Sequence, residues 1–395
     1  MMNRREFLGV AGAAAIPLAQ PARLRAAVPT APVAIARCKS YGAEFLAAAE
    51  KMFDQLGGIG GLVRGKTVTI KINLTGTETA RQDQLPAGRT FWSHPRTVGA
   101  VIHLLDKAGA RRIRVVEGAW IWPASLEEFM LKAGWDPALL LGAAPRVELV
   151  NTNLPYKGNK PYSRFPVPGG GHIFPAYDLS TAYAESDVLV SMSKIKEHGV
   201  AGVTLSIKNC FGITPTTIYG NKVPEDQPSR IPYAGRQEIG HSGSRQPPKS
   251  SPAEKDPASP RQAGYRIPRI VADLVAAVPV HLAILDAIET ITGAELPRRD
   301  VTKFVSPGFL VAGKNCVTTD AVAMATMGFD AMADRGAAPF ETCDNTLRLA
   351  EDLGVGTRNL KNIEVIGPPL KDITFNFREH GLPRQNRPQG GRRSG

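Results

Sequence analysis

Three ionisable side chains recur at alternate positions where an apolar run gives out. They are Lys194, Lys196 and His198, in the stretch SDVLVSMSKIKEHGVAGVTLSIKNCFGITP from Ser186 to Pro215. Residues at period two share one side of an extended backbone, which turns Ile195 the other way. Two ammonium groups and an imidazole then converge just past a strand end, a set able to hold an anion and move a proton. Gly199 and Gly202 permit a tight turn or a close backbone approach. From about Gly202 the pattern predicts helix, with Thr204 and Lys208 four apart on one face and Asn209 beside them. A solvated turn with ordinary lysines is the plain alternative. The Lys208-Asn209 pair inside an otherwise apolar helix (Val203, Leu205, Ile207, Phe211) argues for a site.

Four predicted strands finish in polar groups. Lys66 to Ile72 leads to Asn73, Ile113 to Val116 to Glu117, Asp187 to Ser193 to the lysine–histidine group, and Leu282 to Leu285 to Asp286. Further strands are read at Val33 to Arg37, Arg146 to Val150, Phe309 to Ala312 and Asn362 to Ile366. Helical patterns alternate with them at 44–56, 95–108, 126–133, 266–277, 317–327 and 342–353. The alternation predicts an α/β fold, a mostly parallel open sheet flanked by helices, whose ligands settle beyond the carboxyl ends of the strands. Ser93 is read as the cap of the 95–108 helix, which puts His94 at its N-terminus. Residues 151–177 look like a surface excursion, a hairpin. Residues 221–265 carry eight prolines and read as a flexible insertion beside the site, with His241 in it. The expected organisation is one α/β domain over 33–380.

Two chemistries fit the strand ends. In one, Lys194, Lys196 and Lys208 fix a small carboxylate or phosphate, Asn73 and Asn209 orient it, and His198 or Glu117 moves a proton. In the other, His94, His198 and Asp286, with Glu117 near, give nitrogen and oxygen ligands to a divalent metal. No G-x-S-x-G elbow, H-E-x-x-H pair or Walker loop is present, and the glycines at 57–61 follow a helix. Of the four cysteines, Cys38, Cys210, Cys316 and Cys343, no two form a C-x-x-C. A zinc ribbon or iron–sulfur site is therefore unsupported, and Cys210 reads as a packed small hydrophobe.

With 395 residues, 43% hydrophobic and 21% charged, the chain suits a soluble globular protein. Its net charge of +12 suits an anionic substrate, a cell-envelope polyanion or simple solubility, and no motif or aromatic–basic interleaving points to nucleic acid. Arg4-Arg5 before Phe7-Leu8, an alanine-rich stretch, and small residues at Ala26 and Ala27 predict a twin-arginine signal over residues 1–27. The mature protein is then exported to the periplasm or another extracytoplasmic space by that machinery. No segment is long and apolar enough for a stable membrane span. The tail from 384 to 395 reads as disordered.

The opening stretch resembles the signature of the domain-of-unknown-function family 362: strand, Lys-x-Lys-x-His, a Gly-rich turn, then Thr-x-x-x-Lys-Asn-x-x-Gly. Lys194, Lys196, His198, Thr204, Lys208, Asn209 and Gly212 match it. The similarity runs over 65–330, through Lys71 to Asn73, Ser93-His94-Pro95, Asp286 after its apolar run, and Asp320 to Ala323. Glu197 stands where the family has a smaller polar residue, and Thr292 to Pro297 departs from the family's turn. Many relatives carry four-cysteine iron–sulfur motifs; this chain has none. The signal, the basic strand ends and the resemblance together lead to the expectation of an exported α/β enzyme of that family, binding a small anionic substrate at the strand edge, with a divalent metal as an optional partner. A non-catalytic envelope binding protein and a cofactor-delivery factor are the alternatives.

Overall fold

The computed structural model describes residues 28–119, 123–156 and 161–382. The expected signal at 1–27 and the tail from 384 lie outside them. Eight strands build the main sheet: β1 (Val33–Arg37), β2 (Thr67–Lys71), β3 (Arg112–Glu117), β4 (Val147–Asn151), β5 (Val188–Lys194), β6 (Leu282–Ala287), β7 (Phe309–Gly313) and β8 (Val365–Ile366). Their order is β8-β1-β7-β6-β5-β2-β3-β4. All pairs are parallel except those of β7, which runs against both β1 and β6. Between β6 and β7 the chain makes only a small ribbon, Thr290–Thr292 against Lys303–Val305. That connection has no crossover helix, so the chain returns antiparallel. The fold class expected from the sequence is the one observed.

Side-chain parity divides the core into two layers. Val68 and Ile70 of β2 and Ile72 just after it, with Val188, Val190 and Met192 of β5, pack under α1 (Ala43–Gln55) and α2 (Pro95–Lys107). The alternate residues Leu189, Ala283 and Leu285 face α3 (Ala263–Ala277) and α4 (Cys316–Thr326). This parity matters for the site. Lys194 and Asp286 continue the α1–α2 side, whereas Lys71 and Asn73 continue the side of α3 and α4.

Two local expectations change. The helix begins at Ser206, not Gly202. Gly202–Thr204 is instead a strand, pairing antiparallel with Lys196–His198. Gly202 has φ +74, and a Cβ there would lie 2.5 Å from the Phe340 ring, so the tight ribbon needs glycine. The helix start is then fixed from outside. Asp320 of α4 accepts hydrogen bonds from the Ser206 and Ile207 N–H groups, each at 2.9 Å. The second change concerns Ser93. His94 caps α2, its Nδ1 accepting from the Arg96 N–H. Ser93 instead accepts from the Asn73 N–H at 2.9 Å and donates to the Met192 carbonyl at 3.0 Å, tying β2 to β5.

Residues 221–265 pack on the α3 side and include a short π-helical turn, Gln237–His241. A buried ion pair at 2.7 Å, Glu254 to Arg266, pins the segment to α3. The excursion over 151–177 contains half of a ribbon, Tyr162–Pro166 against Ala176–Ser180. All four cysteines are free and buried. Among the described residues no helix is long and apolar enough to cross a membrane.

Candidate functional site

Asn209 is the knot beneath the site. Its amide Nδ2 donates to the Lys71 carbonyl (3.1 Å), Ser191 Oγ (3.0 Å) and the Met192 carbonyl (3.2 Å). Its Oδ1 accepts from Lys71 Nζ at 3.2 Å and Asn73 Nδ2 at 3.1 Å. One side chain thus locks the 206–209 helix onto the ends of β2 and β5. Lys71 also pairs with Glu117 at 2.8 Å. Glu117 in turn accepts the N–H groups of Leu74 (2.8 Å) and Gly118 (2.9 Å). So occupied, Glu117 is placed to hold Lys71 and two loops, which is a different task from the proton transfer expected of it. Gly212 lies against this pair, since a Cβ there would sit 2.9 Å from both Glu117 Oε1 and Lys71 Nζ.

The lysines of the Lys-x-Lys-x-His motif part company. Lys194 is fully buried on the α1–α2 side. Its ammonium donates to Asp286 at 2.7 Å and to the Tyr41 hydroxyl at 2.6 Å. Burial pushes its pKa down against the pull of Asp286, and burial likewise raises Asp286 against the charge of Lys194. His94 stacks on the Tyr41 ring at 3.7 Å, and burial together with the Lys194 charge pushes it down to about 3. Lys196 is also fully buried. All three of its donors reach neutral oxygens: Asn73 Oδ1 (3.2 Å), the Phe91 carbonyl (2.6 Å) and the Glu295 carbonyl (2.9 Å). With no carboxylate on it, burial takes Lys196 down to about 7. Lys194 and Lys196 spend their donors on the protein itself.

Lys208 does not. It lines a cleft with about 410 Å³ of empty space, part of it open to solvent, together with Asn73, Asn209, Phe211, Gly212 and Arg236. The Lys208 ammonium sits 4.7 Å from the Phe211 ring centroid and has no hydrogen-bond acceptor among the described residues. Burial, then the Arg236 and Lys71 charges, push it down to about 8, with Glu295 acting the other way. Arg236 is the residue that the sequence reading missed. It comes from the 221–265 segment, donates Nε to the Thr214 carbonyl at 2.8 Å, and places its guanidinium 5.8 Å from the same Phe211 centroid. Burial lowers it to about 10. Nothing in its local sequence marks it, because only the folded segment brings it to Lys208.

His198 and His241 do not line this cleft, but both lie within the field of the Lys208 charge. Burial and the Lys208 charge hold His198 well below its ordinary value. His241, edge-on to Phe211 at 5.6 Å, is pushed to about 4 by burial and the same ammonium. Burial opposes ionisation of Glu295, yet the Gly199 N–H (3.0 Å) and the Arg298 charge hold its carboxyl below the usual range. The metal set expected from the sequence is not brought together. Asp286 is engaged by Lys194, His94 is stacked on Tyr41, and His198 lies beside Glu295. Among the described residues no group of three His, Cys, Asp or Glu side chains is placed to hold a metal ion.

The chain belongs to the family described as Domain of unknown function (DUF362), whose model matches residues 68–325. A thylakoid-associated protein of Synechocystis sp. is 28% identical over 186 residues, 46% of this chain and 50% of that one. The chain thus spans half the length of the curated relative that it matches. Among solved structures, the lactate racemase apoprotein of Thermoanaerobacterium thermosaccharolyticum is similar at a TM-score of 0.38 and 13% identity, covering 72% of this chain and 54% of that one. A protein of Thermotoga maritima is similar at 0.32 and 13%, covering 63% and 50%.

Proposed function

We propose that this DUF362 chain is an exported enzyme that binds a small oxyanion, of carboxylate or phosphate type, in the cleft at Lys208. The observation that supports this is an ammonium in a protein cleft beside a guanidinium, with no acceptor of its own. Lys208 is half-buried, and a partly desolvated charge with no protein acceptor favours a ligand of opposite sign. Lys208 supplies the charge, Arg236 a second set of donors, and Asn73 orientation. Asn209, Lys196 and Glu117 hold those groups in place. His198 is the acid/base candidate, an imidazole whose cationic form is disfavoured by burial and the Lys208 charge. Capture without turnover is the reading of a binding protein. A panel of small carboxylic and phosphoric acids followed for chemical change separates the two: binding with every compound returned intact ends the enzyme reading.

The pH dependence has a definite sign. An anion favours charged Lys208, and free Lys208 titrates at about 8. Affinity is therefore full below about pH 8 and falls by up to about tenfold per unit above it. Acetate, whose own charge is fixed from pH 6 upward, is the clean probe in a calorimetric titration. A flat profile from pH 6 to 10 removes Lys208 from the site.

For the route, we take the Arg4-Arg5 segment as a twin-arginine signal cleaved near Ala27. Replacing both arginines by lysine keeps the charge but removes the paired guanidinium motif, and the protein is expected to stay in the cytoplasm as uncleaved precursor. Equal amounts of mature protein outside the cytoplasm in both forms would refute export by this route.

A further inference from the structure

Two successive N–H groups at the cleft have nothing to donate to. Thr75 and Gly76 line it just after β2, and among the described residues neither backbone N–H meets an acceptor. The turn is nonetheless fixed. Trp92 Nε1 donates to the Thr75 carbonyl at 2.6 Å. Gly76 takes φ +90, and a Cβ there would lie 2.9 Å from Leu296 Cδ2. Gly76 is also buried. A buried N–H without a partner is rare unless water or a ligand completes it. The same cleft is lined by Lys208, whose ammonium lacks an acceptor, and by Arg236, whose Nη1 lacks one among the described residues. The carboxylate and amide oxygens of the cleft are meanwhile occupied. Glu117 accepts from Lys71, Leu74 and Gly118. Asn73 Oδ1 accepts from Lys196, and Asn209 Oδ1 from Lys71 and Asn73. Donors thus come from three separate pieces of chain, and none of those oxygens is left to take a proton from a ligand.

We propose that the anion is a fully ionised tetrahedral group, a phosphate or sulfate ester, with one oxygen taken by the Thr75 and Gly76 N–H groups and the others by Lys208 and Arg236. This rests on the anion-site reading and narrows it from oxyanions in general. Successive backbone N–H groups are an ordinary anion cradle, and here the Trp92 bond and the glycine hold them ready. A carboxylate is planar and has two oxygens, which Lys208 and Arg236 alone can fill, so the N–H pair would stay empty. Three terminal oxygens on a tetrahedral centre serve all three sources of donors. A group that kept a proton would set it among donors. The 75–76 turn is on this account the specificity-determining part of the cleft.

Calorimetry on the mature protein at pH 7, where Lys208 is charged, compares methyl sulfate with acetate, two monoanions of different shape. Methyl sulfate is expected to bind about tenfold tighter or more, the worth of the added hydrogen bonds to a charged oxygen. Methyl phosphate in a third titration separates the sources: tighter than methyl sulfate marks a phosphate ester, weaker a sulfate ester. Hydrogen exchange reads the N–H groups themselves. Exchange at Thr75 and Gly76 is expected to slow by about tenfold at saturating methyl sulfate and by less than about twofold with acetate. Gly76→Ala, which cannot hold φ +90 without strain, is expected to bring methyl sulfate to within about threefold of acetate while acetate still binds. Where that variant loses acetate as well, exchange in the wild type decides. Methyl sulfate no tighter than acetate, or bound methyl sulfate that leaves exchange at 75–76 unchanged, overturns the inference and leaves the anion site standing. If none of the three anions binds, the anion-site reading falls and this one with it.

Discussion

Lys208→Met weakens oxyanion binding by about 10- to 150-fold, the worth of a charge-assisted hydrogen bond of about 1.5–3 kcal/mol. Methionine keeps the length and the contact with Phe211, so only the charge and its donors are lost. The same change is expected to leave the fold unharmed or to stabilise it slightly. The free protein bears the cost of an ammonium with no acceptor, and the variant does not. That opposite movement of affinity and stability marks a binding group, since a structural lysine would lose both. Calorimetric affinity and a urea midpoint, measured on one preparation, test it. Affinity within threefold of wild type would place the anion elsewhere.

Asn209→Ala is expected to cost about 3 kcal/mol of stability. Alanine would leave the carbonyls of Lys71 and Met192 without the amide, and would take one acceptor each from Lys71 Nζ and Asn73 Nδ2, all in a buried place. Asn209→Asp is expected to fail as well. It keeps the acceptor for Lys71 and Asn73 but sets a second carboxylate oxygen against two carbonyls. Denaturant unfolding gives the number, and a loss under about 1 kcal/mol in the alanine variant would show that water replaces these bonds.

Period-two and helical patterning gave the layers of this fold correctly, because burial on one or both faces is written in residue type. Val68, Ile70 and Ile72 share a face as their alternation says. The α/β class followed from strands alternating with helices. What patterning could not supply was the local path after Lys194. Gly202 takes a positive φ beside Phe340, a residue 138 positions away, so the chain makes a ribbon where the apolar spacing suggested helix. That Asn73 and Glu117 share one edge was foreseeable from strand ends, and Asn209 reaches them from the 206–209 helix. The division of Lys194, Lys196 and Lys208 by partner was not, since the acceptors of the first two come from distant parts of the chain and Lys208 is left without one among the described residues. His94 and Asp286 failed as a metal pair for the same reason, each having found an organic neighbour first. Arg236 and His241 carry no local mark at all.

The segment that brings Arg236 and His241 is fastened to the rest by its own buried ion pair, Glu254 to Arg266. On the proposed anion site, the group that this segment contributes, Arg236, can therefore change while the strands beneath stay as they are. If Lys208 holds the proposed anion, exchanging 221–265 between homologues keeps the ammonium and changes what stands beside it, a route to altered preference that spares the scaffold.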